Sequence, residues 1–379
     1  MEPDLVESVL NLAVAIQQIP APTFSEGRRA EFVRDRFRKE GLEEVIIDSV
    51  GNVLARLPGR GEALPLIVSA HLDTVFPASV DLTVHRTPDE IAGPGIGDNS
   101  IGVAGLFGLL WALRRRGSNL PGDVWLAANV GEEGLGDLRG MRALVDNFGR
   151  RALAYIVLEG MALGHIYNRG LGVRRYRVAF QTSGGHSWVD FGRPSAVHEM
   201  AIFVSKLTSL QLPQKPRTTL NVGVINGGTS VNTIAAEAFF ELDLRSVDQT
   251  TLERISLQVE EMAVQANRAE VRVFAEVIGS RPPGQISRNA PLVRLAWNCL
   301  VEQGIQPRLH IGSTDANIPL SRGLPAVCVG MTRGLGAHTL SERIYTRPLV
   351  QGLAQLVSLV EGVYSDVSKF HTLAEDSLG

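Results

Sequence analysis

Apolar and polar positions follow two different rhythms along this chain, and the change comes near residue 172. Before it, short apolar runs alternate with stretches of helical period. Residues 4–41 repeat apolar side chains every three or four positions, interrupted by Ile19-Pro20-Ala21-Pro22. Two helices are expected there, with Thr23 or Ser25 capping the second. Runs at 45–48, 53–56, 66–70, 124–129 and 156–158 read as strands, and the apolar stretch 101–115 reads as a helix. Strands alternating with helices indicate an α/β layer with a largely parallel sheet.

Beyond residue 172 the order is strand 174–181, helix 196–210, strands 220–225 and 236–244, helix 252–266 and strand 271–278. That β-α-β-β-α-β order is a ferredoxin-like unit. Arg281-Pro282-Pro283-Gly284 reads as a linker, after which a helix at 292–303 and a strand at 326–329 return to the first style. The expected architecture is an α/β domain over 1–171 and 284–379, interrupted by a small α+β domain over 172–283. A chain of 379 residues is long for one core, which agrees with two domains.

Composition narrows the function classes. Hydrophobic residues at 44% and charged residues at 20% describe an ordinary globular chain. A formal net charge of -3 without a long Lys/Arg run offers no footprint for nucleic acid or a membrane surface. Cys299 and Cys328 sit in apolar surroundings and read as buried thiols. The opening MEPDLVESVL lacks the basic start and apolar core of a signal peptide, and no unbroken apolar run approaches the length of a membrane span. A cytoplasmic protein is the expectation. Gly93-Pro94-Gly95-Ile96-Gly97 lacks a phosphate-loop lysine and does not fit a dinucleotide fingerprint. Ser183 lies near His186 but outside any nucleophile elbow.

His71-Leu72-Asp73 closes an apolar strand. Residues two apart on a strand share a face, so the imidazole can bind a metal while the carboxylate holds its other nitrogen. Four more candidates follow in order: Asp98, the pair Glu132-Glu133, Glu159 and His338. Three of the four have a plainer reading. Asp98 precedes a helix and would serve as its cap, Glu132-Glu133 would serve as a solvated turn, and His338 is a lone loop histidine. Together, most of them fall at or just beyond strand ends, where open α/β sheets place their chemistry. They read as a two-metal hydrolase.

These motifs resemble the M20 family of metallopeptidases and deacylases. The resemblance spans nearly the whole chain: Ile19-Pro20-Ala21-Pro22-Thr23, His71-Leu72-Asp73-Thr74-Val75, Gly97-Asp98-Asn99, Gly131-Glu132-Glu133-Gly134, Asp315-Ala316-Asn317 and His338. It implies two Zn2+ per subunit, with Co2+ or Mn2+ acceptable to the same donors. Asp98 would bridge them, His71 and Glu159 would complete one site, and Glu133 and His338 the other. Three carboxylates and one hydroxide would balance the four positive charges. Asp73 would orient His71, and Glu132 would be the general base toward the attacking water. The peptide between Asp98 and Asn99 is commonly cis in relatives.

The inserted domain would act as a lid and join a homodimer. His186, in Ser183-Gly184-Gly185-His186-Ser187, would reach the partner's site and stabilise the oxyanion. Trp188 departs from the small residues usual after that histidine. Asn232 would assist the polarised carbonyl, and Arg245 would hold a substrate carboxylate; the plainer reading of Arg245 is an exposed strand residue paired with Asp243. The expected reaction is hydrolysis of the amide bond of small peptides, in the manner of a di- or tripeptidase or a carboxypeptidase. The alternative is an N-acyl-amino-acid deacylase, which Glu159 favours, whereas the loops around His186 and His338 look closer to the peptidase T-like branch. A non-catalytic binding protein on the same fold would be marked by a missing ligand or base, and none is missing.

Overall fold

Alternation along the strand Leu66–His71 sends Leu66, Val68 and Ala70 into one core and Ile67 into another, so both faces of the sheet that contains it are covered. The computed structural model describes residues 2–365. It divides into two units: one is the chain up to Gly170 together with the chain from Gly284 onward, and the other is Leu171–Pro283.

The first unit is built on a nine-stranded mixed sheet. Its centre is parallel: Val124–Asn129, Leu66–His71, Ala154–Glu159 and Ala326–Gly330 lie side by side in that order. Antiparallel strands flank this centre, Val53–Leu57 and Glu43–Ile47 on one side and His165–Gly170 on the other. Helices Pro3–Gln17, Gly27–Lys39, Ile101–Arg116, Pro291–Glu302 and Leu349–Ser365 contribute to the larger core on one face. Arg139–Phe148 and Asn317–Ser321 cover the other. The segment Ile96–Arg116 is long and apolar enough to cross a membrane by length and composition, but 89% of that window is buried inside the fold. Its burial is consistent with a core helix: Phe107 stacks on Phe37 with ring centroids 4.5 Å apart.

The second unit is a four-stranded antiparallel sheet in the order Thr218–Gly227, Glu237–Ser246, Gly172–Gln181, Arg272–Arg281. Helices Ala196–Thr208 and Gln249–Ala266 bury against Tyr176, Val178, Phe180, Phe240, Leu242 and Leu244. The alternate positions carry charge instead, with Arg177 paired to Glu241 at 2.6 Å and Arg175 to Asp243 at 3.1 Å. This is the expected β-α-β-β-α-β order, although the last strand runs through Arg281, a residue assigned to the linker from sequence.

Some sequence expectations differ locally. Neither Thr23 nor Ser25 caps the second helix, which starts at Gly27 after an uncapped Glu26. Thr23 is spent elsewhere: its hydroxyl donates to Asp73 Oδ2 at 2.9 Å. The helix Leu349–Ser365 was not apparent in the pattern because Gly352 and Gly362 interrupt it. Packing requires Gly352, since a Cβ there would lie 1.7 Å from the Met331 carbonyl oxygen. A small sheet of Gly334–Leu335, Arg343–Tyr345, Glu90–Ala92 and His85–Arg86 was also unforeseen, its strands being only two or three residues long. Replacing Phe107 with alanine should destabilise the first unit by about 3–5 kcal/mol. Urea unfolding checks this, and a change below 1 kcal/mol would show that the stacked pair does not anchor the helix layer.

Candidate metal centre

The parallel strands deliver His71 and Glu159 to one edge. Leu66 pairs with Ala154 and Ser69 with Val157, a register that leaves His71 and Glu159 at the C-terminal ends of adjacent strands. Val124–Asn129 lies on the other side of Leu66–His71 and leads into the turn that carries Glu132 and Glu133. Asp98 arrives from the loop before helix Ile101–Arg116. His338 comes from the hairpin between Gly334–Leu335 and Arg343–Tyr345, with a left-handed backbone at φ 63°.

These side chains meet. His71 Nε2 lies 3.1 Å from Asp98 Oδ1. His338 Nε2 lies 3.1 Å from Asp98 Oδ2 and 3.1 Å from Glu133 Oε1. One donor atom each from His71, Asp98 and Glu133 falls within 4.8 Å of the others. The Asp98 carboxylate therefore stands between two imidazoles, one oxygen toward each. The Asp98–Asn99 peptide is cis, as the resemblance implies. Asn99 Nδ2 donates to the Leu158 carbonyl at 2.8 Å, tying this loop to the strand that ends in Glu159. Gly160 permits the approach, because a Cβ there would sit 1.8 Å from the Gly97 carbonyl oxygen.

Asp73 does more than the pattern anticipates. The nearer contact to His71 Nδ1 is the Asp73 backbone carbonyl at 3.0 Å, with the carboxylate at 3.6 Å. The carboxylate oxygens accept the Glu132 N–H at 3.0 Å, the Glu133 N–H at 2.9 Å and the Thr23 hydroxyl. One buried residue thus orients the histidine and clamps the two-glutamate turn. Beneath it the buried Arg29 donates to the Leu72 carbonyl at 2.7 Å and holds the strand end in place.

The electrostatics follow from this crowding. Burial raises the cost of the Asp73 charge, yet His71 and the two backbone donors hold its carboxyl down to about 2. Burial likewise opposes protonation of His71, but Asp73, Asp98 and Glu159 carry its pKa well above the ordinary value. Hydrogen bonds to Asp98 and Glu133 push His338 up to about 10. Burial, reinforced by Asp98, Glu132 and Asp315, lifts Glu159 well above the usual carboxylate range. This is a site where negative charge accumulates around nitrogen donors. A set of two imidazoles and three carboxylates fits borderline divalent cations such as zinc.

The three residues proposed for substrate lie in the second unit. His186 pairs with Thr233 across a short antiparallel ladder, and Ser187 N–H donates to the Asn232 carbonyl at 3.0 Å, so His186 and Asn232 are brought together. Trp188 N–H donates to His186 Nδ1 at 3.2 Å. Arg245 is not part of that group. It lies opposite Val173 and Thr219, eight residues along its strand from Glu237, which pairs with Gln181 where the strand leads into the His186 loop, roughly 26 Å at the usual rise. Its Nε donates to Asp243 at 2.6 Å, the pairing of the plainer reading. Sequence reasoning missed Glu342, which is buried behind the Asp98 loop; its only signal is a glutamate four positions after His338.

The family model for Peptidase family M20/M25/M40 matches residues 67–362. A succinyl-diaminopimelate desuccinylase of Corynebacterium glutamicum is 24% identical over 351 residues, covering 90% of this chain and 92% of that protein. A tripeptidase of Staphylococcus aureus has a similar fold, with a TM-score of 0.78 at 22% identity over 95% of this chain and 99% of its own. A dinuclear metal-binding peptidase of Bacillus subtilis superposes with a TM-score of 0.68 at 16% identity, covering 96% of this chain and 99% of that one.

Replacing Asp73 with alanine leaves buried N–H donors without an acceptor, which should cost roughly 1–3 kcal/mol. It should also weaken divalent-cation binding about 10–100-fold. Urea unfolding and calorimetric titration measure the two effects; unchanged binding would show that the glutamate turn needs no clamp.

Proposed function

The chain belongs to peptidase family M20/M25/M40, and from that premise we propose that it hydrolyses the amide bond of small peptides with two zinc ions. The observation that carries the reading is the convergence of His71, Asp98, Glu133 and His338 through contacts of 3.1 Å. Asp98 would bridge the ions, with His71 and Glu159 on one and Glu133 and His338 on the other. Cobalt or manganese would suit the same donors. When bound, the ions acidify the attacking water and polarise the scissile carbonyl.

The protein's own groups then move the protons. Glu132, on the turn clamped by Asp73, takes a proton from the attacking water and passes it to the leaving nitrogen. The Asp73 carbonyl engages His71 Nδ1, so Nε2 is the atom turned toward Asp98. On His186 the Trp188 N–H occupies Nδ1, which puts the proton of the neutral ring on Nε2. The ring then offers the N–H donor that an oxyanion requires. His186 would serve the partner's site in a homodimer joined through residues 172–283. Exposed Val224 and Ile225 on the outer strand Thr218–Gly227 support such a joint. Asn232 would assist at the substrate carbonyl and Arg245 would hold a free carboxylate.

A second reading, N-acyl-amino-acid deacylation, draws support from the glutamate at position 159 and from the desuccinylase relative. The fold shared with the tripeptidase favours the first. A panel of dipeptides, tripeptides, N-acetyl and N-succinyl amino acids, offered to metal-stripped and zinc-reloaded protein, separates the two. Zinc-restored cleavage of peptides is expected. Cleavage of acyl amino acids alone would move the assignment to the deacylases, and no zinc-dependent release of amine from any substrate would contradict both. In the same assay Glu132→Gln should keep its zinc and lose about 10²–10⁴-fold in turnover; wild-type turnover would remove Glu132 as the base.

A further inference from the structure

Asp98 and His338 come from loops 240 positions apart, yet their side chains must meet within a few tenths of an ångström. Glu342 joins those loops through three separate groups. Its backbone N–H donates to the Thr339 carbonyl at 3.1 Å, closing the turn that follows His338. Its backbone carbonyl accepts the Gly93 N–H at 2.8 Å, at the start of the loop that leads to Asp98. Its side-chain Oε1 accepts the Gly97 N–H at 2.7 Å and the Asp98 N–H at 2.8 Å. The residue is fully buried.

We propose that Glu342 is the positioning residue for the metal centre, fixing the Asp98 carboxylate against His338 by holding the backbone of Gly97 and Asp98. The proposal rests on the metal-binding reading of the site and extends it to a residue outside the ligand set.

The local chemistry explains why an acceptor is needed. Asp98 and Asn99 have φ of -118° and -134°, outside helical geometry, so the amides just before helix Ile101–Arg116 cannot all join its ladder. Buried N–H groups without partners are costly, and one carboxylate oxygen satisfies two of them. The small sheet sets the register. Arg343 pairs with Leu335 on one side and with Ala92 on the other, which places Glu342 between the His338 hairpin and the Gly93–Asp98 loop. Misplacing a metal ligand through the loss of such a support commonly costs 10–100-fold in affinity.

Reach and charge can be separated by two conservative variants. Glu342→Gln keeps the side-chain length and an acceptor oxygen while losing the charge. Glu342→Asp keeps the charge but withdraws the carboxylate by about 1.5 Å. Zinc titration of the metal-stripped full chain should show the Gln variant within a few-fold of wild type and the Asp variant weaker by about 10–100-fold. An Asp variant that binds like wild type would overturn the proposal. So would a Gln variant that loses as much as the Asp variant, because an acceptor oxygen at the right reach would then not be enough to hold the loop. Hydrogen exchange on the metal-stripped wild type supplies a second readout. The Gly97 and Asp98 amides should exchange slowly before any zinc is added, and rapid exchange would overturn the proposal even if the Asp variant fails to fold. A wild type that takes up no zinc would sink the metal-centre reading, while the exchange measurement would still decide the role of Glu342.

Discussion

Carboxylates gathered at a buried sheet edge repel one another, and that repulsion governs this site. Two like charges 4 Å apart in a partly buried setting interact by about 4 kcal/mol. Glu159 bears this cost on top of its burial, whereas contacts to His338 and His71 hold the Asp98 carboxyl well below the usual range. The raised pKa values of both histidines and of Glu159 express the same imbalance. Divalent cations held between the oxygens would relieve it. The surrounding fold supplies what this cluster requires: strand ends that stop at the same level, loops tied by buried hydrogen bonds, and glycines wherever backbones must approach.

The supporting contacts form layers behind the donors. Arg29 holds the carbonyl of Leu72, Asp73 holds both His71 and the Glu132-Glu133 turn, and Asn99 holds the Asp98 loop to the strand of Glu159. Glu26 accepts the Gly131 N–H at 3.1 Å and pairs with Arg139 at 2.9 Å, steadying the same turn from outside. Polar groups this deep are stabilising only when each finds a partner, so they fix one arrangement of the loops. A preorganised donor set of this kind suits a centre that must hold its ions through repeated turnover.

The parts that follow from local pattern were legible in the chain. Mostly apolar runs at 66–70 and 124–129 are buried parallel strands, and alternation from Tyr176 to Phe180 marks the sheet of the second unit. The side chains that meet at the sheet edge stood out because most lie at or just past a strand end or follow a glycine-rich loop. What stayed hidden depends on contacts distant in sequence. Thr23 looked like a helix cap because nothing local says that its hydroxyl reaches Asp73, fifty positions away. Little in the sequence singles out Glu342, since its burial comes from strands too short to show a period. His186 and Asn232 were each recognisable, whereas their adjacency rests on a two-residue ladder.

On the proposed reading, Asp98 would stand between two divalent cations at the sheet edge. Crystals of zinc-loaded protein, measured on either side of the zinc absorption edge, test it most directly. Two anomalous peaks about 3.5–4 Å apart are expected, one against His71 and Glu159, the other against Glu133 and His338, with an Asp98 oxygen on each. No peak among these five residues, or a single peak away from Asp98, would contradict it.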